Sequence, residues 1–316
     1  MKTCYAALCC YFGQWPEYFQ TWLNSCRYNK GITFYMVSDI SVDGYCVPDN
    51  VRVIPMSFDE VRQRVVEIFS DLTISLDRPY KLCDYKPAYG YIFADIFEGH
   101  DYWGFYDIDT VWGNIEKFIP ENADKHLVKI FPCGHLSFIK NISPYSSIFE
   151  MVDDVEGTLC RNNMAGKKVV GWKECYKSQE SYYYDEEGGL EPFISAHPEL
   201  SALCYQNVDF DNILPPWRFD HFYSINFPEK SHCLVYSFED GHLYRHYLNG
   251  LSVVREEISY LHISKRRVKV CSSDPARFSI YPNRIVPWRK WNVFGLLLHG
   301  RTRRLRNILN RIKARI

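Results

Sequence analysis

Three short runs of β-branched, aromatic and small apolar residues constrain this chain most: 3–10 (TCYAALCC), 32–37 (ITFYMV) and 51–55 (VRVIP). Each is too short for a helix to bury on its own, and each stops at a polar or glycine-containing turn. Between the first two, residues 16–28 place Phe19, Trp22, Leu23 and Cys26 at helical spacing behind an early proline, Pro16. After the third, 58–70 puts Val61, Val65, Ile68 and Phe69 on one face. The order is β-α-β-β-α, which predicts an open, mostly parallel sheet flanked by helices, the α/β class. Ligands on such sheets sit at the carboxyl ends of the strands. Phe12, Gly13, Ser38 and Asp39 therefore fall on the candidate functional edge.

Further along, the spacing predicts a helix around 84–98 and a short aromatic strand at Tyr102–Tyr106, followed by Asp107-Ile108-Asp109 and a helix start from Thr110 to Phe118. Strands are expected at 126–131 and 135–139, then at 233–238, 242–247 and 251–255. Asp240-Gly241 and Asn249-Gly250 punctuate the last three and predict a β-meander with tight hairpins. Residues 153–191 are polar and rich in Gly and Tyr, and read as a long loop region.

Two residues apart on an extended segment point to one side, so the carboxylates of Asp107 and Asp109 can converge on one divalent cation. Such an ion keeps positions open for phosphate oxygens. The competing reading is that these aspartates cap a helix N-terminus. A second D-x-D, Asp209-Phe210-Asp211, lies in a polar stretch without a strand before it. With 20 aspartates in the chain, a D-x-D arises by chance about once, so position has to choose between the two.

The residues then fall into a recognisable succession. YFGQWPEYF, ITFYMVSD, PYKLCDYKPAYGYIF and YWGFYDIDTVWGNI together resemble bacterial GT-A-type glycosyltransferases of capsular and lipopolysaccharide assembly, in which a K-x-C-D-x-K-P segment precedes a D-x-D. The resemblance spans about 3–267 and is densest at 79–115. It implies a GT-A-like sheet with a smaller β-rich acceptor-side region. It also implies transfer of a hexose from a nucleotide-sugar, UDP-linked, to a lipid-linked or polysaccharide acceptor. Asp107 and Asp109 become Mn²⁺ or Mg²⁺ ligands, with His262 of YLHISKRR as the third, and Lys265, Arg266 and Arg267 beside it read either as supplying a clamp on the diphosphate or as a solvated turn. His135, in CGHLSFIKN, is assigned to sugar contact.

Lys81, Asp84 and Lys86 read either as a phosphate-reaching group in which Asp84 orients a lysine, or as a surface charge cluster. Asp39 is placed at the ribose or base, with Phe12 and Gly13 beside it. Asp185 and Glu186, next to Tyr182–Tyr184, are the candidate general bases for an acceptor hydroxyl.

Charge divides the chain where composition alone conceals it. From Arg289 to Ile316 there are nine Lys/Arg and no Asp or Glu, which leaves 28 basic against 38 acidic residues and a net of −10 over 1–288. The body is therefore not expected to bind nucleic acid. In 302–316, Leu305, Ile308, Leu309, Ile312 and Ile316 share one helical face, the pattern of an interfacial amphipathic helix on anionic lipid. A helix docked on the acidic body and a nucleic-acid arm are the alternatives. The expected organisation is a nucleotide-sugar half at 1–115, an acceptor-side half of the same domain at 116–288, and a membrane-associating tail at 289–316.

Twelve cysteines include no C-x-x-C pair, so no zinc knuckle or thioredoxin motif is supported. The opening MKTCYAALCCYF lacks the apolar core and cleavage site of a secretion signal. A cytoplasmic location with reduced thiols, peripheral on the inner face of the membrane, follows as the expectation. A non-catalytic carbohydrate-binding or scaffold protein with a decayed site, and a metal-dependent phosphotransferase or nuclease, remain as competing classes.

Overall fold

The computed structural model describes residues 3–132, 134–151, 190, 194, 197–205, 210–212, 234–263 and 267–299. In chain order the strands are β1 (Tyr5–Cys10), β2 (Ile32–Ser38), β3 (Val51–Pro55), β4 (Tyr102–Tyr106), β5 (Thr110–Trp112), β6 (Lys129–Ile130), β7 (Leu136–Lys140) and β8 (Cys204–Tyr205). They continue as β9 (Phe210–Asn212), β10 (Val235–Glu239), β11 (His242–Asn249), β12 (Ser252–Ile258), β13 (Tyr260–His262), β14 (Lys269–Val270), β15 (Arg277–Tyr281) and β16 (Arg284–Pro287). The main helices are α1 (Phe19–Cys26), α2 (Phe58–Ile68) and the single turn α3 (Tyr89–Ile92). The chain divides into two compact units.

The first unit comprises 1–15, 30–108 and 119–207. Its seven-stranded sheet runs β3-β2-β1-β4-β7-β6-β8. The β3-β2-β1-β4 half is parallel, as expected from the alternation of elements. The other half departs from it, because β7 runs antiparallel to both β4 and β6. Only five residues separate β6 from β7, too few for a parallel crossover. The sheet is therefore mixed.

One face packs Ala6, Leu8, Tyr35, Val37, Trp103 and Phe105 against Val61 and Val65 of α2 and Tyr89, Ile92 and Phe93 around α3. The alternation of these positions along each strand is the period of two that orients side chains to one face. Between β4 and β7 the backbones approach so closely that a Cβ on Gly104 would overlap the Ser137 carbonyl. The helix α2 begins at a capping box, in which the Glu60 N–H donates to Ser57 Oγ (3.2 Å) and the Ser57 N–H to the Glu60 carboxylate (2.7 Å).

The expected helix around 84–98 takes another form. Residues Pro79–Ala88 wind as a 3₁₀ helix, followed by the single turn α3. Pro87 has no N–H to close an α-helical bond, and the tighter winding accommodates it.

The second unit comprises 16–29, 109–118 and 208–316. Thus α1, which the sequence places between two strands of the first sheet, clusters here instead. A six-stranded sheet runs β12-β11-β10-β15-β16-β14, and a three-stranded one runs β5-β13-β9. The meander is present. Asp240 (φ 51°) and Gly241 (φ 91°) form the two-residue loop between β10 and β11, since Glu239 pairs with His242. Between β11 and β12 the loop is Gly250-Leu251 rather than Asn249-Gly250, because Asn249 is the last paired residue. Gly250 carries the positive φ of 59°. The core holds Val111, Phe238, Leu243, Ile258, Leu261, Phe278 and Ile280.

Candidate metal centre

In the first unit, the parallel strands β1, β2 and β4 bring Phe12 and Gly13, Asp39, and Asp107 to the carboxyl edge of the sheet. Gly13 has φ +108°, a conformation that glycine reaches without strain. Phe12 packs edge-on to Phe58 at 5.7 Å, which commits its ring to the core rim. Asp39 is exposed.

Asp107 follows β4 directly, and its N–H donates to the His135 carbonyl (3.1 Å). That bond extends the β4–β7 ladder by one residue and brings a ring nitrogen of His135 within 4.8 Å of an Asp107 carboxylate oxygen. The sequence reading assigns His135 to sugar contact; the fold places it beside the carboxylate. Lys86 is only 4% exposed. Its Nζ donates to Asp107 Oδ1 (2.9 Å) and to the Gly134 carbonyl (3.0 Å), and lies 5.7 Å over the Phe105 ring. The lysine thus ties the D-x-D to the turn that presents His135.

Lys81 and Asp84 form their own ion pair, as residues three apart on a 3₁₀ helix eclipse each other. Asp84 is buried, so the charged segment is not a solvated surface cluster. Beside these groups, burial foremost and then the Asp107 carboxylate push the Cys9 thiol well up, and burial pushes Cys10 up to about 12. Both thiols stay protonated and are poor ligands or nucleophiles.

In the second unit, Asp109 opens the segment that becomes β5. The expected helix over Thr110–Phe118 is instead a strand, Thr110–Trp112, and a 3₁₀ turn, Ile115–Phe118. No helix starts after Asp109, which removes helix capping as the role of the D-x-D. The strand forms because β13 is its antiparallel partner, with His262 opposite Thr110 and the Ile263 N–H donating to the Asp109 carbonyl (2.7 Å). This register sets His262 Nε2 3.3 Å from Asp109 Oδ1.

Behind the strand, Asn29 donates to the Gly113 carbonyl (2.8 Å) and accepts from the Ile115 N–H (2.8 Å). Ser25 Oγ accepts from the Trp112 N–H (3.2 Å). Neither residue announces itself in the sequence, and both fix the backbone that carries Asp109. On the other side of β13, β9 pairs in parallel, so that Asp211 of the second D-x-D lies opposite Leu261. The sequence shows no strand there, and only the pairing reveals it.

Each aspartate of the D-x-D therefore has a histidine in its own unit: Asp107 with His135, Asp109 with His262. Each pair, a carboxylate beside an imidazole, offers the mixed oxygen and nitrogen donors that suit Mn²⁺ better than Mg²⁺, which favours oxygen throughout. Lys265, Asp185 and Glu186 lie outside the described residues.

The family model described as "Family of unknown function (DUF6625)" matches residues 7–289. No curated protein matches. Among solved structures, a galactosyltransferase, LgtC, in complex with donor and acceptor sugar analogues, is similar at a TM-score of 0.31 and 11% identity. The match covers 65% of this chain and 74% of that one, and is too slight to place the chain in a fold family.

Proposed function

We propose, from the premise that the chain belongs to the family of unknown function DUF6625, that it is a metal-dependent glycosyltransferase. In this reading it moves a hexose from a nucleotide-sugar, UDP-linked, to a lipid-linked or polysaccharide acceptor in cell-surface glycan assembly, at the inner face of the cytoplasmic membrane. The observation that carries it is the D-x-D itself. It follows a buried strand of an α/β sheet at the edge where such sheets take ligands, it caps no helix, and each aspartate has a histidine at hand.

Only Ile108 separates Asp107 from Asp109, so one ion can engage both carboxylates in this reading. His262 is the third ligand and His135 a further candidate. The bound ion would neutralise charge on a departing diphosphate. Lys86 holds the Asp107 carboxylate in position through Oδ1. Asp39, Phe12 and Gly13 line the nucleoside side, and Lys81, kept in place by Asp84, serves the phosphates together with Lys265. Asp185 or Glu186 is proposed as the base for the acceptor hydroxyl.

The test is thermal stabilisation by Mn²⁺ and UDP. The expected result is a rise in Tm with both that neither gives alone, lost in Asp109→Asn, with UDP release from a UDP-hexose abolished in the same variant. Full activity in EDTA, or unchanged turnover of Asp109→Asn, refutes the metal role. Glycan binding without UDP affinity would instead make the protein a carbohydrate-binding scaffold.

A further inference from the structure

We infer that the C-terminal end of the second unit is a docking surface for an anionic lipid bilayer, formed by an apolar patch in a stretch of sequence rich in Lys and Arg. The inference does not rest on the transferase reading.

Residues 293–299 form a helix. Leu296 anchors it, fully buried among Val235, Tyr281 and the neighbouring Trp291. That contact fixes which face turns inward. The outward positions are also apolar: Phe294 is 75% exposed, Leu298 53% and Leu297 45%, and Trp288 just ahead of the helix is 38% exposed. Four of the large exposed hydrophobic residues are thus gathered within eleven positions, whereas a surface helix ordinarily presents polar residues outward.

Charge selects the occupant. After Asp274 the chain has no Asp or Glu to its end, while it carries eleven Lys/Arg: Arg277, which is paired with Asp240, then Arg284, Arg289, Lys290 and seven more from Arg301 to Arg315. Arg284, Arg289 and Lys290 are exposed beside the patch. Apolar side chains flanked by cations are what an acidic bilayer surface takes, the rings and leucines entering the acyl boundary while the cations meet headgroup phosphates. A protein partner for the apolar face would not need that excess of cations, and a nucleic acid would not need the exposed Phe and Leu. Among the described residues no helix is long and apolar enough to cross a membrane.

The experiment is co-sedimentation of the full chain with vesicles of phosphatidylcholine alone or with about one third phosphatidylglycerol, at low and high salt. The expected result is binding to the acidic vesicles only, weakened by salt. The variant Phe294→Ser/Leu297→Ser/Leu298→Ser should lower the partition coefficient by about tenfold or more, since it removes most of the inserting area. Arg289→Glu/Lys290→Glu should do the same through charge alone, by about tenfold or more. In both variants Tm should match the wild type, since every substituted side chain is exposed.

Equal binding to neutral vesicles, or unchanged binding of either variant, overturns the inference. So does a lipid-free dimer that the triple variant dissociates, which would make the patch a self-association face. Retention on an oligonucleotide without vesicle binding would assign the charge to a polyanion and refute it equally.

Discussion

Replacing Lys86 by methionine tests the arrangement around Asp107 most directly. The substitution keeps the length and apolar stem of the side chain and deletes its ammonium, so no large cavity opens. The bonds that disappear include the one to Asp107 Oδ1 at 2.9 Å and the one to the Gly134 carbonyl at 3.0 Å. A hydrogen bond to a charged group contributes about 1.5–3 kcal/mol, and a buried carbonyl left without its donor costs about 1–3 kcal/mol. Against these stands the relief of no longer burying a cation, which offsets part of the loss. The Asp107 side chain retains 29% exposure, so water can solvate the freed carboxylate and the lower end of each range applies. The net expectation is a destabilisation of about 2 kcal/mol, or a fall in Tm of about 4–8 °C for a unit of this size.

The assay is urea and thermal unfolding in EDTA, followed by circular dichroism, for Lys86→Met, Asp107→Asn and the double variant. In the metal-free cycle the two residues should couple by about 1–2 kcal/mol, as expected of directly bonded partners. A coupling energy below about 0.3 kcal/mol would refute the claim that Lys86 holds Asp107, whatever the single variants cost.

Asn29→Ala should destabilise the second unit by about 1–2 kcal/mol, because it removes the side-chain bonds to the Gly113 carbonyl and the Ile115 N–H, which then keep only each other, and denaturant midpoints will measure it. Gly104→Ala should cost at least about 3 kcal/mol or prevent folding, since its Cβ meets backbone that cannot move without parting β4 from β7; soluble yield and Tm report it. His246, held to about 4 by burial and then by the nearby Arg255, is neutral in the folded chain, whereas the unfolded chain titrates near 6.5. The unfolded state therefore binds more protons between those values. Stability should be undiminished above pH 6.5, fall by about 3 kcal/mol as pH drops towards 4, and lose nothing further below it through this group. The same titration on His246→Gln should lack that slope.

Much of the fold was legible because it is written locally. β1, β2 and β3 fall on the β-branched and aromatic runs almost residue for residue, and α2 occupies the window with apolar residues at helical spacing. The turn at Asp240-Gly241 needs only the positive φ that those residues tolerate. Where local preference failed, a partner distant in sequence had overruled it. Thr110–Trp112 has the look of a helix start after two aspartates, yet it is a strand because Tyr260–His262 supplies the other half of its ladder. The short strand carrying Asp211 exists for the same reason. The spacing predicts a helix around 84–98, and neither the 3₁₀ winding of Pro79–Ala88 nor the burial of Asp84 and Lys86 within it is legible there.

The sequence alone determined the α/β alternation, the D-x-D after an apolar strand, and the separation of an acidic body from a basic terminus, since periodicity, motif and charge are properties of neighbouring residues. The tertiary structure decided which partner each aspartate has. His135 is 28 residues from Asp107 and His262 is 153 from Asp109, and only strand register brings each pair together. It also decided that α1 clusters with the second unit and that Leu296 turns inward while Phe294, Leu297 and Leu298 do not. Hydrogen-bond pairing and packing act between segments of any separation, and a one-residue change of register would exchange every face they define.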